Sequence, residues 1–106
     1  MLDRVKAALD TTGLPFAAFG WSPAPPAGDY GVFAPDGSND LYGDDGHAER
    51  ATEGTVDWFT RKYPAADVAA IESALEAAEG VAWYLNPVQF ESDSGYIHFE
   101  WVVQEV

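Results

Sequence analysis

Ile97-His98-Phe99-Glu100-Trp101-Val102-Val103-Gln104 alternates more cleanly than any other stretch of the chain, with Ile97, Phe99, Trp101 and Val103 on one parity and His98, Glu100 and Gln104 on the other. Successive side chains of a strand point to opposite faces of its sheet, so this run predicts a strand with one core face and one wet face. Working back from it, Ser92-Asp93-Ser94-Gly95 reads as a turn. Before the turn, Val81, Trp83 and Leu85 alternate until Asn86-Pro87 interrupts the run ahead of Val88 and Phe90. Further upstream, Val68, Ile71, Leu75 and Ala78 form the apolar stripe of a helix that stops at Gly80, with Pro64 expected in its first turn, where a missing amide hydrogen costs nothing.

The N-terminal half supplies the rest of the fold. Leu2, Val5 and Leu9, with Ala8 beside them, make one stripe on a helix of about ten residues. Gly13 ends it, Pro15 cannot continue it, and Leu14 is placed to turn back onto the core. Phe16 to Trp21 reads as a first strand, joined through Pro23-Ala24-Pro25-Pro26-Ala27-Gly28 as a hairpin connection to a second at Asp29 to Ala34. Pro35-Asp36-Gly37-Ser38 is a turn signal opening an acidic loop that runs to Gly46. A third strand from about His47 to Thr60 has room for a bend or bulge near Gly54. The expected order is α-β-β-β-α-β-β: one α+β domain over residues 1–106, a mostly antiparallel sheet of about five strands with two helices packed on one side.

Composition narrows the function. The 106 residues are 47% hydrophobic and 14% aromatic, enough for one modest core and too aromatic for a disordered acidic tail. There is no cysteine, so neither a disulfide nor a thiolate metal site is available. A formal charge of -13 opposes contact with nucleic-acid phosphates and anionic lipid, and no apolar run approaches the roughly 20 residues of a spanning helix. The chain reads as soluble, untargeted and without sequence-specific nucleic-acid binding.

No catalytic constellation emerges. His47 and His98 sit in no triad-like motif and read as ordinary surface histidines rather than metal ligands. The aspartates at 36, 40, 44 and 45 suggest a calcium loop, but counting from Asp36 the sixth position is Leu41 and the twelfth His47, where such a loop needs Gly and Glu. Neither a cofactor nor a metal is expected, and the chain is read as no enzyme. Two regions carry unspent polarity. One is the loop and polar first half of the third strand, an arm between about Tyr42 and Glu53, with Asp36, Asp40, Tyr42, Asp44, Asp45, Glu49, Arg50 and Glu53 as candidate assembly residues. The other is the exposed face of the second helix, Glu72, Glu76 and Glu79, which reads as a solvated face or as a dock for a basic partner.

Thr12-Gly13-Leu14-Pro15, the Pro-rich segment before Asp29-Tyr30-Gly31-Val32, Ser38-Asn39-Asp40-Leu41, Asp45-Gly46, Val56-Asp57-Trp58-Phe59-Thr60, and Glu91 ahead of Tyr96 come in an order that resembles the tail terminators of long-tailed bacteriophages, tail-completion proteins often described as minor structural or head-tail joining components. The resemblance spans nearly the whole chain and implies an α+β protomer that forms a hexameric ring on the tail tube. Such a ring halts polymerisation of the major tail tube protein and offers a surface to head-tail connector proteins. It implies a location at the head-proximal end of the virion tail, and in the host cytoplasm during assembly. Departures are Gly31 in place of a larger apolar residue and Arg61-Lys62 in place of a Lys-rich patch. Two other expectations are a head-tail connector or stopper, and an acidic DNA-mimic inhibitor whose carboxylates imitate phosphates.

Overall fold

The computed structural model describes residues 2–18, 28–42 and 48–106, of which 37–42 and 48–50 are described by their backbone. In chain order the elements are α1 (Asp3–Asp10), β1 (Phe16–Ala18), β2 (Tyr30–Tyr42), β3 (Ala48–Thr60), α2 (Ala66–Ala77), β4 (Val81–Leu85), β5 (Gln89–Glu91) and β6 (Tyr96–Glu105). Among the described residues they build one six-stranded sheet of order β1-β2-β3-β6-β4, with β5 also on β6. The α+β architecture and mostly antiparallel sheet expected from the sequence are present. The interrupted run around Asn86-Pro87 resolves into β4 and β5, which follow one another along the same edge of β6.

The alternation in β6 does what it predicts. Trp101 and Val103 are fully buried and Phe99 nearly so, and they join Val56 and Trp58 of β3 under Val5 and Leu9 of α1 and Ile71 and Leu75 of α2. Each such large apolar side chain contributes about 1.5–3 kcal/mol on burial. The two buried tryptophans differ in their polar edge. The Trp101 indole donates to Glu72 Oε2 at 2.8 Å, whereas Trp58 Nε1 has no hydrogen-bond partner among the described residues.

Trp58 instead packs against the Phe16 ring, 5.3 Å between centroids, and this contact explains Gly31. Gly31 is the cross-strand partner of Trp58, and a Cβ there would stand 2.2 Å from the Phe16 ring. The missing side chain leaves the space that Phe16 fills.

The helix ends are held from far away in sequence. No side chain near α1 caps its N-terminus. The buried carboxylate of Glu105 does so from the end of β6, accepting the Arg4 N–H at 3.0 Å and the Val5 N–H at 2.9 Å, and it suits the positive end of the helix dipole. Arg4 in turn donates to the Glu79 carbonyl at 3.0 Å and the Val106 carbonyl at 2.7 Å, tying the end of α2 to the end of β6. Gly13 and Gly80, at φ of 70° and 79°, follow the two helices in the left-handed region, as the expected stops require.

Four sequence expectations need correction. Pro35-Asp36-Gly37-Ser38 is not a turn: β2 runs through it, and the register shifts between Pro35 and Gly37 opposite Gly54. Residues suited to turns are equally suited to a bulge, and Pro35, which has no amide hydrogen to donate, stands at the point where the register shifts. The expected irregularity near Gly54 is thus present, but the extra residue belongs to the opposing strand. At Gly54 itself a Cβ would lie 2.3 Å from the Ala34 carbonyl oxygen, so the strands approach closely only because it is glycine. Secondly, the acidic segment from Asp36 is paired strand as far as Tyr42 rather than loop. Thirdly, β1 pairs parallel with β2, Phe16 opposite Gly31 and Ala18 opposite Phe33, so the chain between them is a crossover and not a hairpin connection. The Pro-rich segment itself, residues 23–27, and the expected end of the first strand at Trp21 lie outside the described residues. Finally, Pro64 precedes α2, whose N-cap is Ala65, instead of sitting in its first turn.

Candidate assembly surface

The β2–β3 ladder is longer than the sheet it belongs to. β6 pairs with β3 from Thr52 to Thr60 and β1 with β2 from Gly31 to Phe33, but β2 and β3 go on pairing from Asn39 opposite Ala51 to Tyr42 opposite Ala48. Beyond the end of β6 this is, among the described residues, a two-stranded ribbon, the arm that the polar sequence suggests. Asp36 is exposed at the bulge where the arm begins. Asp40, Tyr42, Glu49 and Arg50 occupy ladder positions in the arm, Asp40 opposite Arg50. Asp44 and Asp45 lie outside the described residues. Glu53 belongs to the base of the arm, where it accepts a hydrogen bond from Gln104 Nε2 across the β3–β6 pair.

The sheet face away from the helices is not uniformly polar. Tyr30, Phe59 and His98 are successive cross-strand partners on β2, β3 and β6, and their rings stack at 4.7 Å and 4.3 Å between centroids. Tyr96 meets Tyr30 and Phe59 edge-on, lies under the Arg61 guanidinium at 4.0 Å, and donates its hydroxyl to the Gly28 carbonyl at 2.8 Å. Burial raises the Tyr30 hydroxyl above its ordinary pKa, with the Tyr96 and Glu91 charges adding to it. Next to the rings, His98 Nε2 sits 2.7 Å from Asp57 Oδ1. That hydrogen bond raises the imidazole pKa against the opposing effect of burial, and the charges of Asp57, Glu91 and Glu100 add to the rise.

One corner is locked by Asp29. Its carboxylate accepts from Thr60 Oγ1 at 2.9 Å and the Arg61 N–H at 3.3 Å and lies 3.2 Å from Lys62 Nζ. Burial pushes this carboxyl up, but the bonds from Thr60, Lys62 and Arg61 outweigh it and hold the pKa below the ordinary 3.8. The opposite edge of the sheet is apolar and open: Tyr84, Leu85, Val88 and Phe90 of the β4–β5 edge are exposed, Phe90 to 69%. No sequence argument singled out this edge, although the broken alternation at Asn86-Pro87 is its signature.

The acidic helix face is partly engaged within the fold. Glu72 accepts from Trp101 and Glu76 accepts from Trp83 Nε1 at 3.0 Å, while Glu79 contributes its main-chain carbonyl to Arg4. The expected candidates therefore fall in two separate places, an arm at one end of the β2–β3 ladder and a helix face on the covered side of the sheet. Sequence reasoning missed the cross-strand meeting of Asp57 with His98, which depends on the β3–β6 register.

No protein-family model and no curated protein matches this chain. Solved structures do. A chain of the virion of native gene transfer agent (GTA) particle is similar with a TM-score of 0.54 at 15% identity, covering 95% of this chain and 81% of that one. At that identity the likeness shows the fold. Another solved structure, 19% identical and covering 100% of this chain and 95% of its own, has a TM-score of 0.48 and carries no argument. Among the described residues no helix is long and apolar enough to cross a membrane.

Proposed function

We propose that this protein is a structural component of a tailed-phage-like virion and, within that class, a tail terminator. In this reading copies of the chain form a hexameric ring on the last ring of the tail tube, stop its polymerisation and present a surface to the head-tail connector. The observation that carries the proposal is the likeness of nearly the whole chain to a chain that is part of a virion. Support comes also from the order of motifs resembling tail terminators, and from an arm that extends past β6 with no third strand beside it among the described residues. A two-stranded ribbon is marginal alone in water, and contact with a neighbouring subunit would stabilise it. The exposed β4–β5 edge offers a second contact region, since unpaired edges and apolar patches are where sheets associate. The role assigns no catalysis, cofactor or membrane, and the negative charge would keep passing DNA from adhering to a ring lumen.

Electron microscopy of lysates from the source phage or prophage with this reading frame removed tests it. Overlong, uneven tails beside separate filled heads are expected. Tails of normal length left unjoined would replace the terminator by a connector or stopper, and intact virions would overturn the structural role in favour of an acidic decoy of DNA.

A further inference from the structure

We propose that Asp57, His98 and Glu100 form a binding site for a divalent first-row transition ion on the open face of the sheet. One ligand atom from each, a carboxylate oxygen of Asp57, a carboxylate oxygen of Glu100 and an imidazole nitrogen of His98, lie within 4.8 Å of one another, and all three residues are partly buried. Regular backbone fixes the set. Asp57 and Glu100 are direct cross-strand partners on β3 and β6, and His98 precedes Glu100 by two residues and so shares its face. Two of the ligands are also oriented by groups outside the set. The His98 ring is stacked on Phe59, its Nε2 is hydrogen-bonded to Asp57 Oδ1 at 2.7 Å, a bond that an ion held between them would replace, and its Nδ1 lies 3.7 Å from Glu91 Oε2, near enough for that carboxylate to close on the N–H of a metal-bound imidazole. Glu100 Oε1 accepts from Asn86 Nδ2 at 2.8 Å, which turns the carboxylate while leaving its other oxygen available.

Charge balance supplies a separate argument. Carboxylates directly opposite each other on neighbouring strands repel, and a pair this sheltered is usually accompanied by a lysine or arginine. Among the described residues, the ion pairs give Asp57 and Glu100 no such partner; the cation-capable group beside them is His98. A divalent cation would neutralise both carboxylates at once. One imidazole with two carboxylates suits zinc or manganese better than magnesium or calcium, which favour oxygen ligands alone, and three protein ligands leave coordination positions for water or a further group.

Calorimetric titration of the full chain with zinc chloride at neutral pH tests the site. Saturable binding of one ion per chain is expected, weakened at least tenfold in Glu100→Gln and Asp57→Asn and unchanged in Asp3→Asn, whose carboxylate lies on α1. Equal binding in all four proteins would show diffuse counterion attraction and overturn the site, as would no saturable binding. The unsubstituted chain gives a second readout that does not depend on how the variants fold. Zinc should shift the imidazole nitrogen signals of His98, assigned against a His47→Gln variant, and unmoved signals would equally overturn the proposal.

Discussion

Near Tyr30 and Phe59 the β2–β3 ladder has β1 on one flank, β6 on the other and two helices beneath; near Tyr42 and Ala48, among the described residues, it has none of these. The same pair of strands is therefore stabilised by tertiary packing at one end and by its own ladder at the other. The fold and the proposed contact surface thus occupy opposite ends of one antiparallel strand pair. The supported end carries the buried rings, the Asp29 lock and the acid–imidazole cluster, while the unsupported end carries charges in register. Substitutions at the two ends should then differ in kind, with stability lost at one and assembly at the other.

The largest effect on stability is expected from Trp101→Ala, which empties the centre of the helix-covered face and should cost about 3–5 kcal/mol in urea unfolding. Glu105→Ala comes next. It leaves the first N–H groups of α1 unsatisfied beneath the C-terminal strand, a loss of about 1–3 kcal/mol, and Glu105→Gln should restore part of it through the remaining carbonyl oxygen. Gly31→Ala, which drives a methyl group into the Phe16 ring, belongs to a similar range of about 1–3 kcal/mol, and Phe16→Ala in the same chain should relieve the clash while losing the Trp58 contact.

A smaller effect concerns pH. Because the folded Asp29 carboxyl titrates below its ordinary 3.8, the unfolded chain takes up that proton first as the solution is acidified. Its contribution is complete above 3.8 and disappears as the pH falls through the lower folded value. Acid unfolding of Asp29→Asn should accordingly show a shallower dependence on pH below 3.8 than the parent chain. The smallest effect is predicted at the other end of the ladder. Replacing residues 40–50 by a two-residue turn, which keeps the buried Ala51 and its partner Asn39, should change unfolding stability by no more than about 0.5 kcal/mol, and a loss of several kcal/mol would erase the distinction between the two ends.

How much of this was legible in the sequence follows from the range of each interaction. The face of β6, the stripes of both helices and their glycine stops depend on neighbours within a turn or two, and the sequence shows them. The position of the hairpin tip does not follow from Pro35-Asp36-Gly37-Ser38, because bulges and turns draw on the same residues. Parallel pairing of β1 with β2 depends on a crossover whose direction no local pattern encodes. The Glu105 cap joins residues a hundred positions apart, and a C-terminal glutamate in an apolar strand gives no hint of its helix. Likewise His98 and Glu100 share a visible polar parity, but Asp57 joins them only once the β3–β6 register is known. The arm was legible in outline because its polarity on both faces departs from every other strand.

The central claim is that the arm serves assembly and not folding. It is tested most directly by electron microscopy of particles made when the chain with residues 40–50 replaced by a two-residue turn, purified and shown to melt like the parent, stands in for the full-length protein. The account predicts overlong tails separate from filled heads, as when the reading frame is removed. Normally joined virions carrying the trimmed protein would contradict it.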